Sequence, residues 1–171
     1  MGRIRSVTMV VLAGLLLTVT LALPAGAARP VRETIPLDNS FLDTESCDPY
    51  GFDPEIDLQV SFVGQARIVR FFDRQGNLTR VHVHGSDVAT VTNPANGKTA
   101  RGVDHWLEID NRRTGEYTIV GLYYHLNFPG AGIVLLEAGR ITFDADGNVV
   151  HLSGPHDVFE GNFGALCHAL A

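Results

Sequence analysis

Lysine is almost missing from this sequence: Lys98 stands alone among thirteen basic residues. Acidic residues outnumber basic ones, and the formal net charge is −6. An acidic chain without a basic run is a poor partner for nucleic acid or anionic lipid. There is no Gly-x-Ser-x-Gly, and no Ser or Cys stands beside a His in a known nucleophile signature, so the recognisable forms of nucleophilic catalysis are absent. There is no Cys-x-x-Cys, which removes the usual reactive-thiol pattern. No complete metal or cofactor motif occurs, so no cofactor is assigned. The interior of the chain also lacks any amphipathic helical period.

What is present begins with Arg3 and Arg5, an apolar run from Val7 to Leu23, then Pro24 and Ala25-Gly26-Ala27. A charged start, a hydrophobic stretch and a small-x-small site make residues 1–27 a secretory signal peptide. The run is long enough for a retained membrane anchor to be the alternative. The Ala-x-Ala site after a helix-breaking proline decides for cleavage after Ala27. No cysteine adjoins the site, which excludes a lipoprotein, and no arginine pair marks twin-arginine export. The expected product is secreted, extracellular and without a stable membrane anchor. Its oligomeric state is not readable.

Two cysteines, Cys47 and Cys167, stand near the ends of the exported part. An oxidising destination and an even count predict one disulfide between them. It would tether the N-terminal segment to the C-terminal tail.

Residues 28–55 carry Pro30, Pro36, Pro49 and Pro54 among many acids, which predicts an extended arm, partly disordered up to about Asp43. From Ile56 the pattern becomes alternating. Leu58, Val60 and Phe62; Val81 and Val83; Leu107 and Ile109; and Val120, Leu122, Tyr124 and Leu126 are the expected core positions. Turn chemistry recurs at Asp73–Asn77, Asn93–Gly97, Asn111–Gly115, Pro129–Gly132 and Asp144–Asn148. Residues 56–171 therefore read as one all-β domain: an antiparallel meander of seven or eight strands with a short C-terminal helix. An up-and-down barrel is the preferred closure and a two-layer sandwich the alternative.

Several residues invite chemistry. His82 and His84 share one strand face at a spacing that can chelate a metal, but Arg80 on the same face opposes a cation, and a solvated stripe is the simpler reading. Asp144–Asn148 resembles the start of a calcium loop without its remaining ligands, so a hairpin is expected. Tyr117, Tyr123, His125 and Asn127 fall on one face of a long strand by simple alternation. They are the candidate ligand-binding set, able to line a barrel mouth. Glu108 and Asp110 are paired carboxylates on one strand face.

The signal peptide, a cysteine shortly before the first strand, the Thr92–Thr99 turn, the Asp144–Asn148 hairpin and the ending Ala165-Leu166-Cys167-His168-Ala169-Leu170-Ala171 together resemble a group of small secreted actinobacterial proteins of unknown function. That resemblance implies an exported β domain held by a disulfide and carries over no catalytic residue. The expectation for function is a non-enzymatic exported barrel that binds a small, partly apolar ligand. A barrel enzyme of isomerase or cyclase type, similar in architecture to allene oxide cyclase, is one alternative. A cell-envelope interaction protein is another.

Overall fold

The computed structural model describes residues 29–45 and 56–171, with side chains placed for 29–40 and from Leu58 onward. The expected signal peptide, and Cys47 with the other residues from 46 to 55, lie outside the described residues.

Seven strands follow one another: β1 (Val31–Glu45), β2 (Ile56–Phe72), β3 (Leu78–Thr92), β4 (Thr99–Asn111), β5 (Tyr117–Phe128), β6 (Gly132–Phe143) and β7 (Val149–Ser153). Two short helices, α1 (Asp157–Glu160) and α2 (Gly164–Leu170), end the chain. Each strand pairs antiparallel with its neighbour in sequence, in the order β1-β2-β3-β4-β5-β6-β7. The meander is thus as the alternation and turns imply. Residues 31–45, expected within an extended arm partly disordered up to about Asp43, form a full edge strand against β2, with Pro36 opposite Gln65. An edge position tolerates a proline because one row of its backbone donors is not needed for pairing.

The hairpins use side chains to fix their turns. Asp73 Oδ1 accepts the amides of Gln75 and Asn77 at 3.0 and 2.8 Å. Asp144 Oδ1 accepts those of Asp146 and Asn148, both at 2.9 Å. Both aspartates serve their own turns, which explains the recurrence of Phe-Asp-x-x-Gly-Asn in the sequence.

The sheet curls without closing. Neighbouring strands are spaced by roughly 4.8 Å, so β2 and β5 would stand roughly 14 Å apart in a flat sheet. Yet the rings of Phe62 on β2 and Tyr124 on β5 lie 5.5 Å apart between centroids. Only a sheet wrapped around its own inner face brings them together. The expected barrel is corrected at one seam, because β1 and β7 do not pair. β7 has five residues against fifteen in β1. After it the chain turns away, and α1 and α2 pack on β6 and β4.

One end of the curl is a conventional core. Leu58 and Val60 of β2, Ala89 and Val91 of β3, Leu126 of β5 and Leu135 of β6 meet Leu166 and Leu170 of α2. The β3–β4 turn clasps the exposed carbonyls of α2, with Asn93 and Asn96 each donating to the Leu170 carbonyl at 2.9 Å and the Lys98 ammonium donating to that of Ala171. Cys167 is buried on the same helix.

Candidate functional site

Away from α2, the inner face changes character. Along β3 the inward row runs Val81, Val83, Gly85, Asp87, Ala89, Val91. The ladder sets these opposite Asp110, Glu108, Trp106, Asp104, Gly102 and Ala100 of β4. Four carboxylates and the only tryptophan therefore face inward, while Leu107 and Ile109 point to the other side. The β4 phase expected from its apolar residues is thus off by one.

On β5 the sequence reading also meets a bulge. Leu122 pairs with Ala138 and Tyr124 with Glu137, so Tyr123 is the extra residue. A bulge shifts side-chain phase by one position. Tyr117 and Tyr123 accordingly face inward, as do Tyr124 and Leu126 beyond the bulge. Tyr123 meets Trp106 edge-on at 5.7 Å, and Tyr117 lies 6.2 Å from Phe143. His125 and Asn127 occupy the opposite side of β5, where the Asn127 amide and His125 Nε2 are 2.6 Å apart. The structure therefore separates the four candidate residues into an inward pair and an outward pair.

Asp87 and Asp104 are direct cross-strand partners. Both are buried, and Asp104 exposes none of its surface. The Asp104 carboxyl meets the facing Asp87 carboxyl and the His125 backbone, and neither aspartate forms an ion pair among the described residues. Burial, then the facing Asp87 charge, pushes the Asp104 pKa up to about 7, while the His125 backbone pulls the other way. Burial also raises that of Asp87. Two carboxyls this close hold one proton between them more readily than two charges. Beside them, the Trp106 indole donates to Glu108 at 2.9 Å. Burial and the Glu108 carboxylate raise the Tyr117 phenol, and burial pushes Tyr123 up to about 12. Gly85 makes room for this arrangement, since a Cβ there would stand 2.2 Å from the Trp106 ring.

Glu137 and His156 adjoin the site but serve the scaffold. Glu137 Oε1 meets His156 Nδ1 at 2.5 Å, and Oε2 accepts the amides of Val158 and Phe159. His156 Nε2 donates to the Ser153 carbonyl at 3.1 Å. Every polar atom of this buried pair has a partner, and the pair pins α1 to β6.

His82 and His84 lie on the outer face, ring centroids 6.2 Å apart, with the His82 ring tilted against Phe71 at 4.7 Å. Burial, then the Arg80 guanidinium and His84, hold the His82 pKa below its ordinary value. Among the described residues, no three of His, Cys, Asp and Glu are grouped to hold a metal ion.

Sequence reading missed Asp87, Asp104 and Trp106. One signal was available: Asp87 sits in the apolar phase of β3, between Val83 and Ala89, where a charged residue contradicts the pattern. No family model, curated protein or solved structure matches this chain.

Proposed function

We propose that the inner face of the curled sheet binds a small, partly apolar ligand carrying a positive charge. One observation carries the reading: Asp104, wholly buried, faces the buried Asp87 beside Trp106 and Tyr123, and neither aspartate forms an ion pair among the described residues. A buried carboxylate without a counter-ion costs stability, and retaining one is characteristic of functional sites. An ammonium group supplies the missing positive charge. The indole and phenol rings hold its apolar body and attract the cation through their faces.

A second reading is supported by the Asp104 pKa of about 7. A carboxyl that titrates near neutrality is suited to general acid–base catalysis. In that reading the same inner-face residues shuttle a proton on a bound substrate, as an isomerase or cyclase requires.

The experiment uses N-phenyl-1-naphthylamine, a neutral apolar probe, excited through Trp106, the only tryptophan. Saturable energy transfer that is lost in Tyr123→Ala and kept in the outer-face variant His84→Ala supports an inner apolar site. No transfer, or equal loss in both variants, contradicts it.

A further inference from the structure

The outer face bears the opposite charge. On this side β1, β2 and β3 present three successive cross-strand rows: Arg32–Val69–His82, Thr34–Arg67–His84, and Phe71 beside Arg80. A cleft of about 250 Å³ opens here, lined by Pro30, Arg32, Arg67, Val69, Phe71 and the two histidines. Its floor is apolar: Val69 is 7% exposed, and the Phe71 ring lies tilted against His82. Its rim is cationic. Arg32 and Arg67 line it and are exposed, while Arg80, outside the cleft, holds its guanidinium 5.1 Å over the Phe71 ring. No acidic residue lines the cleft among the described residues. Glu33, the nearest acid in sequence, belongs to the other face, where it binds Arg70 at 2.9 Å. The next acid on the outer side of β1 is Asp38. His82 Nε2 is buried there without a hydrogen-bond partner.

In a chain of net charge −6 this concentration of cations over an apolar floor is a built feature of one face. We infer that the cleft is a second binding site, independent of the inner one, for a small carboxylate with a flat apolar body. The carboxylate lies between the Arg32 and Arg67 guanidiniums, whose planar forks match its two oxygens. The flat body rests on Val69 and Phe71. His82 Nε2 lies within the same wall and supplies a further polar contact. The volume admits a single-ring acid and excludes larger ligands of the usual pocket size.

The test follows the His82 and His84 ring-proton NMR signals while 4-fluorobenzoate is added. Saturable shifts of both signals are expected, with the Kd raised about tenfold in Arg32→Gln and in Arg67→Gln, the effect of losing one charge-assisted contact at an exposed rim. Both arginines are exposed, so either substitution leaves the fold intact. The neutral isostere 4-fluorobenzamide should cause no shift at the same concentration. Equal binding of the amide, or unchanged Kd in both variants, overturns the carboxylate assignment. Inorganic phosphate binding as tightly as 4-fluorobenzoate overturns the role of the apolar floor.

Discussion

Replacing Asp104 by Asn should stabilise the protein, and the gain should depend on pH. Asp104 has an ordinary pKa of 3.8 when unfolded and about 7 in the folded chain. Between those values the folded state holds a proton that the unfolded state has released. Raising the pH through this window therefore lowers the stability of the native protein. A shift of roughly three units corresponds to about 4 kcal/mol if none of it is relieved by relaxation, and about 2–4 kcal/mol is the working expectation. Asn resembles the protonated acid in shape and does not titrate. The variant should match the wild type near pH 4, gain on it as the pH rises, and hold a constant advantage above pH 7. Urea unfolding followed by Trp106 fluorescence at unit pH steps measures the difference directly. Comparing variant with wild type cancels other titrations, including that of His82, whose depressed pKa acts in the opposite direction. A difference that is constant from pH 4 to pH 8 would falsify the facing-carboxyl arrangement.

The core assignment predicts that Leu126→Ala, at a position with no exposed surface, costs about 2–5 kcal/mol in the same assay. Leu107→Ala, on the half-buried outer side, should cost clearly less, and the reverse order would contradict the β4 register. Glu137→Gln breaks a buried pair that also binds two α1 amides, so a loss of about 3–5 kcal/mol and faster amide exchange at Val158 and Phe159 are expected. Unchanged exchange there would mean that Glu137 does not anchor α1. Protein recovered from the culture medium should begin at Ala28 and show no titratable thiol when unfolded without reductant, as a Cys47–Cys167 bond requires. A retained Met1 or two free thiols would remove the basis for the exported, tethered form.

Much of the architecture was legible because turns and alternation are local. Asp73–Asn77 and Asp144–Asn148 announce their hairpins through side chains that bond their own backbone. The phases of β2 and β3 follow directly from Leu58-x-Val60-x-Phe62 and Val81-x-Val83. β4 misleads because its inward row is polar. Leu107 and Ile109 look like core, yet register with β3 turns Trp106 and Glu108 inward. β5 misleads because one bulge at Tyr123 reverses the phase midway, which separates Tyr117 and Tyr123 from His125 and Asn127. Closure was illegible for a different reason. Whether the last strand reaches the first depends on its length and on where the tail packs, and α2 docks on the core end of the curl. The inner acidic pair arises only when two strands are laid side by side, since Asp87 and Asp104 are seventeen residues apart and share no motif.

The central claim is that the inner face selects a cation with an apolar body. Quenching of Trp106 fluorescence by 2-phenylethylammonium, compared with the similarly shaped 3-phenylpropionate, tests it most directly. Saturable quenching by the ammonium, its weakening about tenfold or more in Asp104→Asn, and none by the carboxylate are the predicted results. Equal quenching by both ions, or an Asp104→Asn protein that binds the ammonium as tightly as the wild type, would contradict the account.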